Sequence, residues 1–512
     1  MGKRASFGIV FVLIMALLAA CGGGNNGANG GTNGSGNGSG NGGGETSKAE
    51  SGAAGGEETK PVLRQLGFQR NFDPNADPVA AFLEEKTGYK VEYETLPLEN
   101  PDDKLNLLMA NNEPYDILKL SGSQYNRLAV QGALEPLDGL LEQYGQTLLN
   151  STPAEFFDNA KVDGKIYGIP EKHPRGFIGS ALAVRQDLLD ELKMDVPTTV
   201  DEFYALLKAI KEQKGIIPLT GFESIIPEIS GAFGVVTSFD VQDGKLIHRL
   251  EGPGMKQYLA FMSKLYQEGL IDPEWPVNKA DTIQQKFTTG KAGIMTYGWG
   301  IAPAVTEALN KNMPGAKITL IKSLKGENGQ IGNWIQGGGV SWYIAIPKSS
   351  KNKEAAMKYM NLKVEPELFQ ELAIGQEGAQ YTVKEDGSKF PILPDFNEAR
   401  GNSDWFMTST NAAQFEELWL LRVRKDMVLY ETFQDIQTQL SVGRSDPTLL
   451  APPLPVVANN MQKLNMAEND YVIKVIAGAE SLDGYDAFVN DWKAQGGADV
   501  IAELSAWYDA NK

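Results

Sequence analysis

Cysteine and histidine are nearly absent: the 512 residues include one cysteine, Cys21, and two histidines, His173 and His248. With a single thiol no internal disulfide can form, so the folded part depends on its apolar cores. There is no His-Glu-x-x-His metal site and no Gly-x-Ser-x-Gly nucleophile turn. A P-loop is missing too, because none of the Gly-Lys pairs has glycine at the required upstream position. Positive charge is in deficit, with 47 Lys and Arg against 65 Asp and Glu and a net charge of −18. That balance argues against nucleic acid, whose binding rests on Lys and Arg neutralising phosphates. Beyond residues 7–18 no stretch is apolar enough to cross a membrane, which takes about 20 apolar residues. The many acids keep one enzymatic alternative in play, a secreted glycoside hydrolase with paired carboxylates.

What the chain does have begins with Lys3 and Arg4, an apolar run over 7–18, and Leu18-Ala19-Ala20-Cys21. A basic start, a short apolar core and small residues before a cleavage point describe an export signal over 1–20. Leu-Ala-Ala-Cys resembles the bacterial lipobox, which implies cleavage before Cys21 and lipid on its sulfur. Several acyl chains anchor durably where one is marginal. Residues 21–60 are mostly Gly, Asn, Ser and Thr. They cannot bury enough apolar surface to offset chain ordering, and they read as a tether with a root-mean-square span of roughly 35 Å. Gly38-x-Gly40-x-x-Gly43 matches a dinucleotide fingerprint only formally, having no strand before it and no helix after it. The expected address is the outer face of the cell membrane.

Residues 61–512 exceed what one core holds, since cores stop growing near about 250–300 residues, so two lobes are expected. The first hundred alternate. Strand patterns at 62–68 (VLRQLGF), 90–96 (KVEYETL) and 116–120 (DILKL) flank helices opened by Asp77-Pro78 and Asn100-Pro101. Strand-helix-strand-helix-strand predicts a parallel sheet with ligand at the strands' carboxyl ends. Asp73, Asn75, Asp77 and Glu84 have calcium-loop spacing, but Pro78 replaces the glycine that the sharp turn needs, and helix capping explains the same residues. Thr199 to Glu202 forms a capping box before an amphipathic helix. A further helix is predicted over 256–268, and Gly-rich aromatic strand-and-turn stretches over 286–299 and 331–347.

The ordered series VDGKIYGIP, ALAVRQDLL, VPTTVDEFYALL, YQEGLIDPEW, KFTTGKAGIMTYGW and IPKSSKNKEAAMKYM closely resembles the family 1 extracellular solute-binding proteins. These are carbohydrate-binding lipoproteins of ABC importers, and the likeness is to their long Gram-positive branch. The resemblance implies a two-lobed α/β clamshell, each lobe a mixed sheet flanked by helices, with a three-crossing hinge. Carried onto this chain, the crossings fall near residues 180–183, 320–325 and 375–381. The first lobe is then 61–180 plus 325–378, and the second 181–324 plus 379–512. It also implies a monomer, not an enzyme, without cofactor or metal. Such a receptor captures an oligosaccharide and passes it to permease subunits served by a separate ATPase; a sugar sensor on the same fold is a variant reading.

Sugars offer apolar faces to aromatic rings and hydroxyl groups to charged and amide side chains. Trp299, in Tyr297-Gly298-Trp299-Gly300, matches the family's stacking aromatic, and Trp334 and Trp405 are also flanked by loop residues. Trp342 alternates with apolar neighbours and reads as core; Trp275, Trp419, Trp492 and Trp507 read as packing. Among polar candidates, Arg70, Ser121 and Tyr125 follow strands, Lys172, His173 and Arg175 precede the first crossing, and Glu223 follows IIPLTGF. If Arg70, Lys172, His173 and Arg175 converge, they suit an acidic sugar such as a uronate oligomer.

Overall fold

The computed structural model describes residues 60–98, 100–172, 176–337, 340–409 and 411–511. The export signal, Cys21 and the tether lie outside these. The chain opens with β1 (Leu63–Phe68), α1 (Pro78–Thr87), β2 (Val91–Leu96), α2 (Pro101–Ala110), β3 (Ile117–Leu120) and α3 (Gly122–Val130). Local chemistry sets these limits. The Asp77 carboxylate accepts from the Val79 N–H, Pro78 starts α1, and Gly88 ends it at φ 68°, where a side chain is disfavoured. That is the capping role expected for Asp77. Asn100 precedes Pro101 as expected but makes no side-chain cap.

Further on, the elements that position the site are β4 (Gly168–Lys172), β5 (Gly176–Ile178), β6 (Ser180–Arg185), α4 (Val200–Ala209), β7 (Ile217–Thr220), α5 (Pro253–Gln267), β8 (Ala292–Gly298), β9 (Ile318–Ile321), β10 (Asn333–Gly337) and β11 (Val340–Ala345). Then come α6 (Lys353–Leu362), α7 (Pro366–Ile374), α8 (Phe415–Val423), α9 (Met427–Gln437), β12 (Gly443–Arg444) and α10 (Pro455–Ile476). The Thr199–Glu202 capping box forms at the start of α4 as its sequence predicts.

Two main sheets result. The first has the order β2-β1-β3-β11-β4, with β1 parallel to β2 and β3, and β11 antiparallel to both neighbours. The second has the order β9-β6-β8-β7. Strand alternation loads both faces of each sheet. In the first, Leu63, Ile117 and Ile344 face a core shared with Tyr359 and Trp405, while Leu66, Leu118 and Tyr343 face the opposite one. In the second, Leu182, Val184 and Ile294 join the largest core with helix α5 and helix α10, and Ala183 and Met295 pack beneath Val305 and Leu309. Helices therefore cover both faces of each sheet.

A small third sheet, β12-β10-β5, lies on the segments that run between the two. The chain passes from β4 in the first sheet to β6 in the second over a few residues around β5. It returns later than expected: Leu324 belongs to the largest core and Lys325 pairs with Thr199, so the passage back runs through β10. The third passage differs more. Residues 379–421 fall in the second lobe by the expected crossings, yet Tyr381, Phe396, Trp405, Phe406, Leu418 and Leu421 are all buried in the first core. Gly375 turns the chain at φ 78°, but the segment folds back where it came from. The move to the second sheet occurs between α8 and α9, since Val428 and Ile436 pack with second-sheet residues. Apolar spacing dictates which face is buried, not which of two cores receives it.

Candidate ligand-binding site

Residues beside the cores of both sheets enclose a cavity of about 490 Å³. Asn126 of α3 and Tyr343 of β11 line it on the first sheet's side; Pro227, Thr237 and Arg249, from helix and loop segments next to Ile226, Phe239 and Leu250 of the largest core, line it on the other, and Trp334 of β10 lines it too. Trp334 is 43 % exposed, although most large aromatic rings of the chain are packed. Its presentation has a local cause. Asn333 is buried, and its side-chain oxygen accepts the Trp334 N–H at 2.7 Å, fixing the backbone from which the indole projects. The polar groups around it are held in place. Asp446 accepts from Thr448 Oγ1 (2.6 Å) and the Phe239 N–H (3.0 Å), and Arg249 Nε donates to Glu468 (2.6 Å). An exposed ring beside fixed hydrogen-bonding groups suits a ligand with apolar faces and hydroxyl edges.

A second group of functional types gathers where β1 ends. Arg70 donates to Asp404 (2.6 Å), which also accepts from Arg422 (2.7 Å). Burial pushes the Asp404 carboxyl up, but Arg422 and Arg70 outweigh it and hold it well below the usual carboxylate range. Burial together with Arg422 pushes Lys425 down. Beside them Phe68 stacks on Trp342, with ring centres 4.1 Å apart and planes 8° from parallel. Beneath them Lys119 is 2 % exposed. It pairs with Glu171 at 2.7 Å and donates to the carbonyls of Asp404, Trp405 and Met407 at 3.2 Å each. One buried ammonium thus pins the loop that carries Asp404.

The structure separates the sequence candidates. Ser121 caps α3 through a capping box with Gln124, one residue before Gly122 of the cavity wall. Glu223 is half-buried and binds the Phe222 N–H at 3.0 Å, two residues before Ile225 of that wall. Trp299 forms a half-buried turn after β8, edge-on to Phe177 (6.1 Å), Trp419 (6.0 Å) and Phe433 (5.1 Å). Three candidates need correction. Tyr125 is fully buried, stacked on Tyr343 at 4.0 Å and donating to the Ala160 carbonyl at 2.6 Å. Trp405 is also fully buried, its Nε1 donating to the Phe68 carbonyl at 2.8 Å and its ring edge-on to Phe72 and Tyr93. Tyr297 is 3 % exposed, and burial pushes its hydroxyl up to about 12. Each polar tip finds a partner inside, so the rings serve packing.

The Lys172 side chain, His173 and Arg175 lie outside what is described; of the basic set, Arg70 alone is placed, with Arg422 and Lys425 rather than the expected partners. Trp342, whose alternation marks it as core, is half-buried and packs with Phe68 against the first core. Among the described residues no group of His, Cys, Asp and Glu is arranged to hold a metal ion, and no helix is long and apolar enough to cross a membrane.

With this geometry in place, comparison with known proteins decides the family. Residues 79–380, more than half of the chain, match the model described as bacterial extracellular solute-binding protein. The chain belongs to that family. Lipoprotein LipO of Bacillus subtilis (strain 168) is 26 % identical over 85 % of this chain and 89 % of its own length. The polygalacturonan/rhamnogalacturonan-binding protein YtcQ of the same organism is 24 % identical over 84 % and 88 %. Among solved structures, the ABC-transporter substrate-binding protein FusA of S. pneumoniae, in complex with kestose, superposes with a TM-score of 0.68 at 18 % identity, covering 88 % of this chain and 100 % of that one. The solute-binding chain described here therefore has the two-lobed α/β fold of such proteins, with sheets flanked by helices.

Proposed function

We propose that the protein is a surface-tethered receptor that captures an oligosaccharide between its lobes and delivers it to an ABC importer. The observation that carries this reading is Trp334, an exposed ring in a cavity walled by segments of both lobes. Relatives named for polygalacturonan and rhamnogalacturonan binding, and a structural neighbour holding kestose, support sugar as the ligand class. Capture works by population shift: ligand touching both walls binds the closed arrangement better than an open one and draws the molecule into it. Trp299, Ser121, Glu223, Arg70, Lys172, His173 and Arg175 remain proposed contacts around this centre. The permease and its ATPase are separate partners, the receptor works as a monomer, and lipid on Cys21 holds it outside the cell. The lipoprotein LipO supports that anchor.

A thermal-shift screen of kestose, longer fructo-oligosaccharides, oligogalacturonates and neutral hexose oligomers tests the reading, because a ligand specific to the folded state raises apparent stability by mass action. At least one sugar is expected to raise the melting temperature by several degrees without being consumed. No shift across the panel, or turnover of the sugar, overturns it. Cys21→Ser is expected to release the protein into the medium; retention at the membrane refutes the anchor.

A further inference from the structure

Five side chains at the passages between the sheets close a ring of hydrogen bonds. Ser180 Oγ, opening β6, donates to Glu228 Oε1 at 2.6 Å. The Asn333 amide, opening β10, donates to the same oxygen at 3.4 Å and to Ser323 Oγ at 3.1 Å. Ser323 donates from its N–H (3.0 Å) and its hydroxyl (2.7 Å) to Gln439 Oε1. Gln439 Nε2 then donates to the Ser180 carbonyl at 3.4 Å. The directions agree throughout, with no hydroxyl proton asked to serve two acceptors. Ser180 opens β6 where the first passage ends, Asn333 opens β10 in the second, Ser323 precedes that passage, and Gln439 follows α9, so the ring ties the first two passages to the end of α9. Beside it the Gln437 amide both accepts from the Ile178 N–H (3.0 Å) and donates to the Ile178 carbonyl (2.8 Å), pairing with β5 as a strand would.

The ring is buried: Glu228 is 2 % and Asn333 1 % exposed. Polar groups so placed are costly unless satisfied, and a fully satisfied network fixes one arrangement. Its partners for Glu228 are a hydroxyl and an amide rather than a cation, so its hold depends on geometry more than on charge. Two members adjoin residues of the cavity wall. Pro227, one residue before Glu228, lines it, and Asn333 holds the backbone of Trp334.

We propose that Glu228 and Asn333 are positioning residues for capture: the ring locks the first two passages and the end of α9 in one relative arrangement and sets Trp334 in the cavity, so that the capture-competent form exists before ligand arrives. This rests on the reading of the cavity as the ligand site. Apparent affinity scales with the competent fraction, so cutting the ring to leave about a tenth of molecules competent weakens binding about tenfold without removing a ligand contact.

The test uses the full chain with Cys21→Ser, which leaves no other thiol, and spin labels on Glu142→Cys and Gln257→Cys, exposed positions on opposite cores. Pulsed dipolar spectroscopy without ligand reads the distance between the lobes. The ring predicts a narrow distribution that broadens in Glu228→Ala and is restored in Glu228→Gln, whose amide oxygen still accepts from Ser180 and Asn333. Ser323→Ala, a milder cut on the far side of the ring, also broadens it and carries the test if Glu228→Ala does not fold. Iodide quenching of Trp334, taken as the difference from Trp334→Phe, is expected to change with the same variants. A distribution left narrow by both cuts, a Gln variant as broad as Ala, or unchanged quenching overturns the proposal. A lowered melting temperature with unchanged distances shows a purely structural role and overturns it too. Neither readout uses a sugar, so a failed ring spares the receptor reading, and a failed sugar screen strikes that reading alone.

Discussion

Single residues divide by where their polar tips end. Tyr125 spends its hydroxyl on the Ala160 carbonyl in the core beneath the first sheet. Tyr125→Phe is therefore expected to cost about 1 kcal/mol of stability and to leave ligand affinity unchanged, as urea unfolding and calorimetry will show. Trp334 is the contrasting case, its ring free of a core and its backbone fixed. His248 gives a pH effect unrelated to binding. It is fully buried, stacked on Trp492 at 4.5 Å. Burial pushes its imidazole down to about 4, with Glu468 opposing. The unfolded chain protonates near 6.5, so on acidification the unfolded state takes up the proton first. Stability is unaffected by this group above about pH 6.5 and falls between about 6.5 and 4, by up to ~3 kcal/mol in all. Unfolding midpoints at pH 7 and pH 4.5 check it, with His248→Phe expected to flatten the difference.

At the scale of elements, much was legible in the sequence. Capping residues and turn formers announced α1 and α4, because their cues are local and satisfied within a few residues. The parallel start of the first sheet followed from strand-helix spacing. What escaped depends on distant partners. Trp405 sits in a one-turn helix, Ser403–Phe406, whose flanking sequence looks exposed, yet Lys119, over 280 residues away, pins that segment through three carbonyls. The return of residues 379–421 to the first core was hidden for the same reason. Lys119→Met leaves Glu171 buried without its cation, and burial already pushes that carboxyl up. Loss of one partner of a buried pair costs about 3–5 kcal/mol. A fall of that size in chemical denaturation is expected; a change under ~1 kcal/mol would show that the loop does not need its pin.

For the whole molecule, the fold follows from length and pattern together: two sheets, each covered on both faces, connected by three passages, with one buried polar ring joining the first two to the end of α9. The cavity draws walls from segments of both lobes that are far apart in sequence, which is why the ordered family motifs revealed the receptor fold while its contacts stayed hidden. Arg70 and Trp334 are proposed from their place after or between strands, whereas the grouping of Phe68, Trp342 and Arg422 beside Arg70 depends on the fold. The most direct measurement is calorimetric titration of the full chain and of Trp334→Ala with the sugar that stabilises it most in the screen. The account predicts saturable binding without turnover and at least a tenfold loss in the variant, about 1.4 kcal/mol, with its melting temperature unchanged. Equal affinity in the two proteins would contradict it.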